Sequence, residues 1–293
     1  MITPAQLTKA LGTPVPPAWL ALLRLAHEHA RSRDEFVMFF DAPLSLVFSG
    51  PALAALPGMS RKSYAPTYPQ MPPEFIEIGS MGVDGVTYGL IVRAPERPDF
   101  EPPVAEFSPM DSEPVFLLGR TTAQAIENLA AESLARRESA DSEPFLREQL
   151  QVIRERLSLL RSRLGLAITP KLASRRFSPS GNARRIPVAI PPRYRFAPTA
   201  DGIGVLAPAR AFSPASRSRR VSSRTPLSDI LDHVDDLLRR GYPASALRIA
   251  KSAWWWHWGS SPASSIAEAL ARTYRALGRH AFARRALSAA DRS

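Results

Sequence analysis

The chain has 293 residues, ordinary hydrophobic content at 45%, and about twice the usual share of proline. It contains no cysteine, which excludes disulfides, thiolate metal sites and a cysteine nucleophile together. The net charge of +11 is uneven: residues 1–170 carry 16 basic and 20 acidic groups, 171–226 carry 12 basic groups against Asp201 alone, and 227–293 carry 10 and 6. A general label of "basic, hence nucleic-acid binding" therefore does not follow.

The amino-terminal MITPAQLTKALGTP lacks a charged-then-apolar leader pattern. No window approaches the ~18 uninterrupted apolar residues of a membrane span. A cytoplasmic protein that does not enter a membrane is expected.

Residues 4–13 predict a short helical turn, ended by Pro14, Pro16 and Pro17. Trp19, Leu20, Leu22, Leu23 and Ala26 predict a helix over 17–30, with Pro17 suited to its first turn. Phe36–Phe40 and Leu44–Phe48 predict two short strands, followed by one helical turn at 51–56 and a proline-rich loop over 57–73. The clearest strand–turn–strand is PPEFIEIGSMGVDGVTYGLIV, residues 72–92, where Gly79, Ser80, Gly82, Asp84 and Gly85 lie between two β-rich runs. Val104–Phe107 and Val115–Leu118 predict further strands, and Thr121 begins a helix reaching 138. This order of strands and helices predicts an α+β domain over 1–140, with a small mixed or antiparallel sheet and flanking helices.

An amphipathic helix is expected within 141–170. Leu146, Leu150, Ile153, Leu157, Leu160 and Leu164 are spaced 4, 3, 4, 3, 4. It either pairs with a second copy or packs inside the chain. Residues 171–226, rich in Pro, Ser and Arg, read as a mostly disordered basic linker, with short docked strands at Ile186–Ile190 and Ile203–Leu206 as the ordered option. Residues 227–293 are predicted all-α. Two units align on Gly241 and Gly278, 37 residues apart, with Leu237 matching Tyr274, Ala246 matching Ala283, Ala250 matching Leu287 and Ala253 matching Ala290. They resemble tetratricopeptide-type helical hairpins.

No phosphate loop, dinucleotide fingerprint or nucleophile elbow is present. His27 and His29 point to different faces of a helix and lack an evident third ligand. Catalytic, cofactor and metal residues are therefore none, and the chain is not expected to be an enzyme. The candidate contact residues are electrostatic and aromatic. Residues 72–118 hold nine carboxylates against Arg93 and Arg97. Glu96, Asp99, Glu101, Asp111 and Glu113 are expected to form an acidic sheet edge for a cationic protein partner. Trp254, Trp255, Trp256 and Trp258 either seal the helical core and dock on the first domain, or face a partner. A second reading uses the Arg-rich 171–226 segment on nucleic acid.

The helix after a proline pair (PPAWLALLRLA), LSLVFSGPALAAL, the central EFIEIGSMGVDGVTYGLIV and the closing TTAQAIENLAAESL together resemble the SUKH superfamily of Smi/Knr-like domains over about residues 14–137. The resemblance implies an α+β domain acting by partner binding. Many members are immunity proteins that neutralise toxins, and a branch regulates through partner contacts. A basic toxin would fit the acidic edge. The linker and the helical repeats lie outside that family's usual extent.

Overall fold

The computed structural model describes residues 3–11, 13–48, 68, 70–82, 85–97, 101–109, 115–138, 144–166, 188–214, 221–257 and 263–290. Helix α1 (Pro4–Leu11) and helix α2 (Pro17–His29) begin the chain, the second with Pro17 in its first turn as expected. Trp19, Leu22, Leu23, Leu25 and Ala26 make the buried face of α2.

The two strands expected over 36–48 are a correction. Arg33–Met38 (α3) and Asp41–Leu44 (α4) are helical, and only Val47–Phe48 (β1) is strand. The cause is local. Ser32 Oγ accepts the Glu35 amide hydrogen at 3.1 Å, and the Glu35 carboxylate accepts from the Arg31 amide at 2.8 Å. That reciprocal cap starts a helix ahead of the aromatic run and overrides its β propensity. Phe48 then collects Trp19, Phe36 and Phe40 around it, at ring-centre distances of 5.4, 5.2 and 5.9 Å.

Among the described residues, β1, β2 (Phe75–Ser80), β3 (Thr87–Ile91), β4 (Val104–Phe107) and β5 (Val115–Gly119) form one antiparallel sheet in that order. The 72–92 hairpin is its centre, with Phe75 opposite Ile91 and Ile76 opposite Leu90. Strand alternation sends side chains to two faces. Ile76, Ile78, Tyr88 and Leu90 join the core shared with the helices, whereas Phe75, Ile91, Ala105 and Phe107 join Met71 and Ile203 on the other face. Gly89 lies under the Phe75 ring, where any Cβ would collide with it. The sheet is thus covered on both faces.

Helices α5 (Thr122–Glu138) and α6 (Pro144–Leu164) follow. Leu150, Ile153, Leu157 and Leu160 of the heptad face are buried, and α6 packs on α2, α4 and α5 within this chain. Of the two options for that helix, internal packing is the one observed.

Of the linker expected over 171–226, the part over 188–214 follows the ordered option: Val205 and Leu206 lie in a strand, whereas 188–190 do not. Residues 171–187 and 215–220 lie outside the described residues, as do 49–67 with the helical turn expected at 51–56, but 188–214 are folded. Strands β6 (Tyr194–Ala197) and β7 (Val205–Pro208) pair antiparallel, and Ile203, Val205, Leu206, Ala207 and Phe212 are buried. Asp201 accepts the Ile203 amide hydrogen at 3.0 Å and the Thr199 hydroxyl hydrogen, and Thr199 accepts from Gly204 at 2.8 Å. These side-chain bonds close the turn. Averaged composition hid a compact apolar run flanked by arginines.

Helices α7 (Leu227–Arg239), α8 (Pro243–His257), α9 (Ala263–Ala276) and α10 (His280–Ala290) form two helical hairpins. Gly241 and Gly278 adopt φ of 78° and 75° and close the first helix of each pair alike, since Tyr242 bonds back to Leu237 and Arg279 to Tyr274. Glycine takes this left-handed position without strain.

Candidate functional site

The carboxylates of the sheet turn inward and meet the cations of the carboxyl-terminal helices. Lys251 Nζ, on α8, is 2.8 Å from Glu74 and 3.3 Å from Asp201 and donates to the Gly204 carbonyl at 3.1 Å. All three side chains are about 1% exposed. Tyr274, fully buried on α9, sits beside Glu74 and Asp201. Burial first, and then the Glu74 charge, holds its hydroxyl well above the usual tyrosine range. Arg279 reaches Glu96 at 2.8 Å and the Leu206 carbonyl at 2.6 Å. Arg285, on α10, donates to the Phe75 carbonyl at 2.8 Å. Burial lowers Arg285 to about 10, with Glu77, Tyr274 and Glu74 opposing the fall. Arg93 is lowered to about 10 by burial, against Glu74 and Asp201, and donates to the Ile203 carbonyl at 2.6 Å. Sheet, β6–β7 hairpin and helical hairpins are therefore joined by one dry ionic network.

Such a network is costly to assemble, because each charge surrenders its water. Its members are matched: every buried cation here has a carboxylate near it and a carbonyl accepting from it. Neither Lys251 nor Tyr274 lines the cleft described next, and their arrangement orients the elements they join.

The space that a ligand can enter lies next to it. A cleft of about 600 Å³ runs between the Thr13–Pro17 segment ahead of α2, the Ile91–Pro95 end of β3, Glu101–Pro103 ahead of β4, and Val188, Ala189 and Leu206 from the 188–214 segment. Six prolines line it: Pro14, Pro16, Pro17, Pro95, Pro102 and Pro103. Its ionisable lining groups are Arg93, Arg97, Arg120 and Glu101. Arg97 lies over the Tyr194 ring at 5.7 Å, and Arg120 is exposed at the rim. The size falls within the range of ligand pockets, roughly 300–1,000 Å³. The wall supplied by 188–189 and 206 exists because the ionic network docks that segment.

Of the expected acidic edge, Glu96 and Glu101 are described, and both are exposed. Glu96 pairs with Arg279 and also accepts from the Tyr194 hydroxyl at 3.4 Å. Glu101 accepts from the Thr122 amide at 2.9 Å, at the start of α5. Asp99, Asp111 and Glu113 lie outside the described residues. Glu96 is thus matched by a cation of the same chain, whereas Glu101 meets a backbone amide. Trp254 is buried and donates to the Gln70 carbonyl at 3.1 Å, and Trp255 packs beside Phe75 and Phe107 on the second sheet face. Trp256 is 46% exposed, and Trp258 lies outside the described residues. His27 and His29 are both exposed. Among the described residues, no group of three His, Asp or Glu side chains is placed to hold a metal ion, and no helix is long and apolar enough to cross a membrane.

No protein-family model matches the chain, and no curated protein matches it. The network was missed at the level of sequence, though two signals pointed to it. Lys251 is one of four lysines in the chain and lies four positions after Leu247 and three before Trp254, on the apolar face of its helix. Asp201 is the single acid in a stretch of 12 cations. An ionisable group placed against its local pattern marks a tertiary partner.

Proposed function

We propose that this chain is a non-catalytic binding protein that takes a short extended segment of a partner protein in the 600 Å³ cleft. The observation that supports this reading is the lining itself. It is apolar and proline-rich, with Thr13 as its one hydroxyl and no His, Lys or Asp among its groups. A nucleophile set beside a base is absent from that lining, whereas shape and apolar area are abundant. The charges favour a partner that is anionic at the contact, because Arg93, Arg97 and Arg120 line the cleft against one carboxylate, Glu101. It differs from the cationic partner expected for an acidic edge. The SUKH resemblance points to binding as well. Toxin neutralisation and regulation are then two uses of the same cleft, distinguished by the partner.

Ala189 is exposed and lines the cleft, so Ala189→Trp fills it without touching the core. Displayed random peptides selected on the full chain should be enriched in apolar residues next to Asp or Glu. Ala189→Trp should lose that enrichment at an unchanged melting temperature, and Arg120→Glu should shift it toward Lys and Arg. No enrichment, or the same enrichment with Ala189→Trp, would remove the cleft from the account.

A further inference from the structure

The Lys251 site brings an amine and two carboxyl groups together where water is excluded, each side chain being about 1% exposed. Lys251 Nζ lies 2.8 Å from Glu74 Oε2, 3.3 Å from Asp201 Oδ2 and 3.1 Å from the Gly204 carbonyl oxygen that accepts from it. Groups fixed at such separations are near an attack geometry, because the entropy of bringing them together was spent in folding. A lysine amine is a nucleophile once it loses a proton, and a carboxylate in contact can take that proton.

The two carboxyl groups are held differently. Asp201 Oδ1 accepts the Ile203 amide hydrogen at 3.0 Å and the Thr199 hydroxyl hydrogen. Beyond its ion pair with Lys251, Asp201 Oδ2 has no hydrogen bond among the described residues. One oxygen is thus fixed by two donors, as the oxyanion of a tetrahedral intermediate requires, and the other is left to depart. Glu74 Oε2 is the carboxylate oxygen nearer the ammonium, which suits it to carry protons. The geometry makes Asp201 the electrophile and Glu74 the base.

We propose that Lys251 and Asp201 condense into an intramolecular amide, with Glu74 as proton carrier. Glu74 takes one proton from the ammonium, and the neutral Nζ attacks Asp201 Cγ. The carbonyl electron pair moves onto Oδ1, where the Ile203 amide and the Thr199 hydroxyl hold it. Glu74 passes its proton to Oδ2, takes a second from the nitrogen and passes that on as well. The Cγ–Oδ2 bond breaks as the Oδ1 electron pair returns, and Oδ2 leaves as water. Two of the three ammonium hydrogens depart in that water, and the third stays on the amide nitrogen, beside the Gly204 carbonyl. One cation and one anion disappear together, and Glu74 ends as it began. The step occurs once per chain and turns over no substrate. The ion pair of the freshly folded chain is its reactant. The product ties α8 to the β6–β7 hairpin and restrains the unfolded chain as a disulfide does, in a sequence without cysteine.

Intact-mass spectrometry of the full chain, fresh and after several days folded at neutral pH, reads the bond directly. A species lighter by one water should accumulate, and digestion should yield a branched peptide joining Lys251 to Asp201. E74Q should slow the accumulation at least about tenfold, since it removes the proton carrier. D201N should lose ammonia in place of water and reach the same final mass, because the same amide forms. K251R keeps the cation without the amine and should stay at its sequence mass. Water loss that persists in K251R would instead mark an imide closed between Asp201 and the Gly202 amide, and would overturn the proposal. So would an unchanged mass in the unmodified chain, a branch at Glu74 in place of Asp201, or E74Q reacting at the unmodified rate. The mass and the branched peptide of the unmodified chain decide the matter even where a variant fails to fold.

Discussion

The two faces of the central sheet are covered by different physics. On one, Trp19, Phe36, Phe40 and Phe48 pack ring against ring with Ile76, Ile78 and Leu90. On the other, the apolar layer around Phe75 and Phe107 is framed by Glu74, Glu77, Asp201, Lys251, Arg279 and Arg285. Apolar packing tolerates many partners of the right shape. A buried charge tolerates only one that matches it, so the ionic face specifies which element docks and in which register. The difference teaches why an acidic sheet and a basic tail occur in one chain.

The largest effect should come from stranding a charge. Lys251→Met leaves Glu74 and Asp201 in a dry site, at a cost of about 3–5 kcal/mol. Adding Glu74→Gln and Asp201→Asn should recover much of that loss. Urea unfolding of the single and triple variants checks this, and equal stability of the two would show that the charges are not coupled. Trp19→Ala should cost a similar ~3–5 kcal/mol through the cavity it leaves, but no charge-removing second change should rescue it.

A smaller effect separates the two faces by pH. Tyr274 is held above its ordinary value, so the stability it confers is complete below the unfolded pKa of about 10. It is lost as pH rises beyond that, because the unfolded chain then releases the proton and the folded chain keeps it. Arg93 and Arg285 run the other way: lowered to about 10, they regain stability as the pH rises above that value. Subtracting Tyr274→Phe from the unmodified chain isolates the tyrosine. The difference should be flat below pH 10 and should fall above it. A flat difference throughout would place the hydroxyl in a solvated setting.

The smallest effect tests a single bond at the sheet's end. Glu101→Gln weakens the acceptor at the start of α5 and should cost about 0.5–1 kcal/mol by thermal melting, with fold and network intact. A loss several times larger would mean that Glu101 carries more than a helix end.

Local features were legible in the residues. The 72–92 hairpin, the strands at 104 and 115, helix α2 and the repeated Gly241 and Gly278 turns are each written in a few adjacent positions. Phe36–Leu46 departs from its hydrophobic pattern because the Ser32–Glu35 cap, immediately upstream of the aromatic run, starts a helix there. The 188–214 hairpin was obscured by the arginines and prolines around it. Beyond the misplaced Lys251 and Asp201, the cleft and the network are not written locally, because their parts are far apart: Arg285 and Phe75 are 210 positions from each other, and Lys251 and Gly204 are 47. Nothing in Glu74 or Glu96 alone distinguishes a carboxylate that faces water from one that faces a distant arginine.

The central claim is that 188–214 and the four carboxyl-terminal helices are locked to the sheet through buried charges. Hydrogen exchange on the full chain tests it most directly. Amides of β6 and β7 should be protected to a degree similar to those of β2 and β3, and Lys251→Met should release β6, β7 and α8 while the Trp19–Phe48 side stays protected. Fast exchange across 194–208 in the unmodified chain, like that of a free linker, would contradict the claim.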